Sequence, residues 1–303
     1  MTPYYRALLA LCLPLMAHAE VSPPYQSEGE TVLFKPYGNQ PGQPLAKASP
    51  TDFEVIYRGD DFSLAASQGR HYCNERLLPA ELSLDNAKAL GSFLLSGSQA
   101  YAYCEPVAVK VDTQAFRALS HPFYSDGRHV FLVTGEVLSG ADPKSLKTGH
   151  GQAADRRHYY YVADKTVVIP HQGDVRLHDT CQGWATLDGT LYFEGEKQPE
   201  VDGASFHCLN FSSAVTKDGF YSGKQKVAPL PAGVDSARIK ALSDQFVTDG
   251  QRVWSMNLRL TELEGVNLDA AEIDYAVLSD GTHRWDCGVH DEEGNPTCEK
   301  SAL

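Results

Sequence analysis

Short apolar runs, two to three residues long at their centres, recur along the chain between turn signals at near-constant spacing. Val130-Phe131, Tyr159-Tyr160-Tyr161, Leu191-Tyr192-Phe193, Phe220-Tyr221 and Val253-Trp254 are aromatic or β-branched, the residue types that suit a pleated strand. An Asp precedes each run, and Asp-Gly pairs stand at 126–127, 188–189, 218–219, 249–250 and 280–281. Asp-Gly favours a tight hairpin turn because both residues tolerate positive φ. Asp155-Arg156 fills the remaining place, so the successive Asp separations are 29, 33, 30, 31 and 31. A period near 30 held that often marks a tandem repeat.

A second turn often follows the run, as at Thr134-Gly135, Glu194-Gly195, Ser222-Gly223 and Met256-Asn257, and then a second strand-like stretch. Next come segments with an Asp, small or polar residues, and an apolar residue: 140–146, 201–206, 234–242 and 268–273. They read as an N-cap with one or two helical turns. The predicted unit is therefore a β-hairpin plus a short helix, repeated seven to nine times. Weaker copies lie at 49–64 and 84–103, and 29–34 reads as a frayed first strand. One unit cannot bury its apolar face alone, so neighbours must stack. The expected fold is mainly β with short helical turns. An open or curved stack is preferred over a closed propeller, because about 30 residues is short for a four-stranded blade of about 40. The chain then divides into a lead-in (20–48), divergent repeats (49–120), clearer repeats (121–285) and a C-terminal closure (286–303).

The stretches "SDGRHVF", "LSGADPKSL", "TKDGFY", "VDSARIKAL" and "TDGQRVW" resemble the DKNYY family of repeat proteins. That resemblance covers roughly 121–285, and implies an exported bacterial protein built from tandem units, with no established activity. The chain departs from the family pattern in placing Gly where Lys is usual after the Asp, and in carrying cysteines.

The first 19 residues read as a secretory signal peptide. Arg6 is the positive end, 7–16 the apolar core, and Ala17-His18-Ala19 the small-residue cleavage site, so the mature chain is expected to start at Glu20. This predicts a periplasmic or secreted protein. No later stretch approaches ~18 uninterrupted apolar residues, so no transmembrane segment is expected. The mature chain then carries 25 basic and 39 acidic side chains, a charge that disfavours nucleic acid and anionic lipid and suits a basic protein partner or plain solubility. Export places Cys73, Cys104, Cys181, Cys208, Cys287 and Cys298 in an oxidising compartment. Their spacing favours sequential disulfides, 73–104, 181–208 and 287–298, among the 15 possible connectivities. Zinc is disfavoured because no CxxC is present.

Catalytic signatures are absent from the sequence: it contains no GxSxG, HExxH, Walker A or GxGxxG. His171 and His178, with Asp174 and Asp179, form the densest candidate for a metal site, weighed against a polar loop. Asp60-Asp61 and 291–295 are acidic turns without the spacing of an EF-hand. The repeated Asp residues read as turn caps, since acid–base catalysis needs two differently tuned carboxylates. Tyr159, Tyr160, Tyr161, Trp184 and Trp254 are the candidate binding residues, weighed against a place in the core. No cofactor is implied. The expectation is an exported, non-enzymatic protein-binding repeat protein, an immunity-type inhibitor of a toxic effector being one form. The alternatives are an envelope hydrolase with a site assembled across repeats, or a structural envelope component.

Overall fold

A computed structural model describes residues 24–36, 40–256, 260–290 and 296–303. The expected signal peptide, the acidic turn 291–295 and Asn257 lie outside the described residues. The chain divides into two compact units, 1–85 and 86–303. Among the described residues, 34 strands form nine antiparallel sheets, each drawn from one continuous stretch of chain. We call these modules one to nine: 25–44, 54–77, 88–106, 117–137, 147–170, 175–197, 207–229, 240–263 and 272–302. Most are meanders of four strands in which each strand pairs with the next. Modules one and two belong to the first unit, and modules three to nine to the second.

The 30-residue repeat is real, but its unit is a four-stranded meander. In modules four to nine the repeated Asp stands in the turn between the second and third strands, as Asp126 does between Phe123–Ser125 and Val130–Leu132. The apolar runs are third strands. The first and second strands are the part that the hairpin-plus-helix expectation lacked. The capped segments are links between modules, and they are turns: among the described residues, helix is confined to two single 3-10 turns, Ser236–Arg238 and Leu268–Ala270. The reason is local. Asp142 accepts from the Lys144 N–H (3.1 Å) and the Ser145 hydroxyl (2.7 Å), which completes one turn, and the strand Lys147–Gly149 then begins at once. No helix among the described residues is long and apolar enough to cross a membrane.

Successive sheets of the second unit pack face to face. Side chains alternate across a strand, so each inner strand serves two cores. Tyr160 packs with Phe123, Val130 and Leu132 of module four, whereas Tyr159 and Tyr161 pack with Ala185 and Leu187 of module six. The same alternation continues along the unit. Trp184 and Leu191 meet Ala214 and Tyr221, Phe220 meets Val247 and Trp254, and Phe246 and Val253 meet Leu278 and Trp285. Burial on both faces explains why the inner strands carry consecutive apolar residues rather than a strict alternation. Within the first unit, Tyr25, Val32 and Phe34 of module one pack on Ala65 and Tyr72 of module two.

Two disulfides reinforce this plan. Cys181, in the first turn of module six, bonds Cys208, in the first strand of module seven, at a Cα separation of 5.3 Å. Cys287 bonds Cys298 across the long last hairpin. Both pairs follow the expected sequential order. Cys73 and Cys104 are also disulfide-bonded.

Candidate functional site

A meander puts its first and third turns at one end of the strands and its second turn at the other. The two ends of the modules differ in chemistry. At the second-turn end, the repeated Asp residues are built into the fold. Asp126 accepts from the N–H groups of Arg128 (2.8 Å) and His129 (2.6 Å) with one oxygen, and from the Asp112 N–H (3.2 Å) with the other. Asp155 accepts from Arg157 and His158, and reaches back to the Asp142 N–H (3.0 Å) and the Tyr160 hydroxyl (3.0 Å). Asp280 repeats the scheme with Thr282, His283 and the Asn267 N–H (3.1 Å). Each carboxylate thus closes its own hairpin turn and ties it to the link 13 or 14 residues upstream. The partner is itself an Asx residue capping that link: Asp112, Asp142 or Asn267.

Asp188 makes the corresponding bonds to Gln172 and Gly173, while Asp249 closes its turn and pairs with the Arg252 guanidinium (2.9 Å). In the first unit, Asp52 of the link holds the hairpin through Ser67 Oγ (2.8 Å) and the Gln68 N–H (2.6 Å). In module seven, Ser205 Oγ takes the Lys217 N–H instead. Burial alone would raise the pKa of Asp126, Asp155 and Asp249, but the N–H donors outweigh it and hold all three below the usual carboxylate range. Asp280 is also depressed, chiefly by the Thr282 hydroxyl.

The opposite end carries exposed aromatic residues, such as Phe211 and Tyr275, among polar turn residues. The first turn accepts an N–H from the end of the third strand in module five, Val162 to Gly151 (2.8 Å), and from the third turn in modules six and seven, Glu194 to Gly183 (2.7 Å) and Gly223 to Ser212 (2.8 Å). Neighbouring modules join there as well. Gly151 N–H donates to the His121 carbonyl (2.9 Å), Gln152 Nε2 to the Trp184 carbonyl (3.2 Å), and Gln182 N–H to the Phe211 carbonyl (2.9 Å). Between these turns lies a groove of about 360 Å³ contributed by modules four to seven. Its aromatic wall comprises Tyr161, Phe193 and Phe211, with Val162, Gln182 and Glu194 beside them. The His121 and His150 rings stack at 5.7 Å at one side. Phe193 is seated by two glycines of positive φ, Gly183 and Gly223, where a Cβ would stand 3.1 and 3.3 Å from the ring. Glu194 is the one formally charged side chain lining the groove among the described residues. The Tyr161 hydroxyl beside it has its pKa raised by burial first and by the Glu194 carboxylate second.

No family model and no curated protein matches this chain. Among solved structures, Kluyveromyces lactis Hsv2 is similar at 10% identity and a TM-score of 0.19, covering 89% of this chain and 91% of that one. The AfRom2 CNH domain is similar at 9% identity and a TM-score of 0.17, covering 91% of each chain.

Of the aromatic residues singled out in the sequence, Tyr159, Tyr160, Trp184 and Trp254 are buried in cores between modules, and Tyr161 borders the groove. Phe193 was visible only as a strand residue. Glu194 carries only a turn signal, and Phe211, His121 and His150 none, because four different modules bring these residues together. His171 and His178 are each engaged separately. His171 bonds the Asp155 and Gly173 carbonyls, and His178 bonds Thr186 Oγ1 at 2.8 Å. Burial pushes the His178 pKa down to about 4, so this ring is neutral at pH 7. Among the described residues, no three His, Cys, Asp or Glu side chains group as metal ligands would. Asp60 and Asp61 sit in the exposed first turn of module two.

Proposed function

We propose that this chain is an exported, non-enzymatic repeat scaffold of the DKNYY type, which binds another protein through the first-and-third-turn end of its modules. The observation that carries the reading is where the exposed large apolar residues stand. In the second unit, Tyr103, Phe211, Leu242 and Tyr275 occupy first or third turns, Phe211 at 58% and Tyr275 at 81% exposure, while the other exposed large apolar residues are Val167 and Val168 on the edge strand Thr166–Pro170 and Leu303. No second turn exposes a large apolar residue among the described residues. Aromatic side chains held on rigid turns contact a partner at low entropic cost. The repeated carboxylates sit at the other end, with their oxygens filled by N–H groups of their own turns, which favours a structural duty over acid–base work. Three disulfides suit an oxidising compartment, as export requires. An immunity-type inhibitor is one form this reading takes.

The test is an affinity capture from the native envelope without reductant, using the wild-type chain and a Phe211→Asp, Tyr275→Asp double variant. The reading expects one stoichiometric protein partner on the wild type and its loss on a folded variant. Capture of the same partner by both would move the binding surface elsewhere. No partner under any growth condition would remove the reading.

A further inference from the structure

We propose that the groove between modules four and seven is a pocket for a single cationic side chain, a lysine or arginine of the partner protein. The inference rests on the protein-binding reading and assigns its central contact. Three features converge. First, Tyr161, Phe193 and Phe211 line one cavity of about 360 Å³, roomy enough for a side chain and too small for a folded element. Second, the charge in that cavity is negative. Glu194 lines it, together with Tyr161. The nearby Lys224 ammonium lies outside the lining and is paired with Glu196 at 2.8 Å. Third, the pocket is built by the backbone. Glu194 itself holds a positive φ of 52°, and Gly183 and Gly223 flank the Phe193 ring.

An aromatic wall attracts a cation through the ring quadrupole, and partial desolvation strengthens both that attraction and the ion pair. An apolar side chain of equal length would gain the burial alone. The groove therefore discriminates by charge rather than by size. The net charge of −13 draws a basic partner toward it over longer distances.

Titration of the whole protein with N-acetyl-lysine methylamide, followed by amide NMR shifts, tests the inference. Saturable shifts are expected at Gly183, Glu194 and Gly223, with a Kd of about 1–10 mM for so small a probe. The arginine amide should bind similarly and the norleucine amide at least about tenfold more weakly. Glu194→Gln keeps the shape and should weaken lysine-amide binding about tenfold; Phe211→Ala, at an exposed position, should weaken it severalfold. Equal binding of norleucine amide, an unchanged Glu194→Gln, or no saturable shift would each overturn the pocket. A protein partner that stays bound to Glu194→Gln while the lysine amide does not bind would sink the cation pocket and leave the protein-binding reading standing.

Discussion

Asp126, Asp155, Asp249 and Asp280 are buried carboxylates whose charge is used inside the fold, and pH should reveal it. A group whose folded pKa is depressed contributes stability above its unfolded value near 4, and that contribution is lost as pH falls through the folded value. Stability should therefore hold from neutral pH to about 5 and fall steeply below about 4. Asp126→Asn keeps an acceptor for the turn but removes the charge, so its melting temperature should vary less with pH below 4 than that of the wild type. Identical profiles would show that the carboxylate contributes no linkage. Asp155→Ala is the harsher change. It strands the N–H groups of Arg157, His158 and Asp142 and the Tyr160 hydroxyl, and should cost about 2–4 kcal/mol at pH 7, read from denaturant midpoints.

Each element is weak by itself. Arg117–Ala118 and Glu196–Lys197 are two-residue strands, held only because the inner strands beside them are buried on both faces. That also explains what could be read in advance. Third strands such as Val253–Ser255 and the Asp turns before them were legible, since two-sided burial demands apolar runs and tight hairpins demand Asp-Gly. First strands such as Lys147–Gly149 and Lys240–Ala241 carry no alternation, and their polar lead-ins mimic helix caps. Of the groove, Tyr161 alone stood among the candidates, because turn residues from four modules have no shared signature along the chain. Where the elements are covalently tied, the effect should be measurable. Cys181–Cys208 joins modules six and seven across 27 residues, and its loss should cost about 3–4 kcal/mol by loop entropy. A Cys181→Ser, Cys208→Ser variant should lower the denaturant midpoint accordingly. An unchanged midpoint would mean that the Trp184–Phe206 contact, with ring centroids at 4.7 Å, suffices to join the modules.

At the scale of the whole molecule, the meander separates stability from recognition. Within the second unit, modules four, five, six, eight and nine hold their second turns through a structural Asp at one end of the strands, and the exposed aromatic residues Phe211 and Tyr275 stand on first turns at the opposite end. Substitutions at the two ends should then have opposite profiles. Asp155→Ala removes bonds between a hairpin and its link, so it should lower the melting temperature while leaving partner binding intact in molecules that remain folded. Phe211→Ala removes a ring that is 58% exposed, so it should change stability by less than about 0.5 kcal/mol while weakening the partner. Thermal melts and partner capture on the same two proteins decide the matter. If Phe211→Ala melts early, its ring supports the fold, and the first-and-third-turn end is packing rather than a binding face. If Asp155→Ala loses the partner at full stability, recognition belongs to the carboxylate end. The opposed outcome follows from topology, because a strand buried on both faces leaves only its ends for contact with anything else.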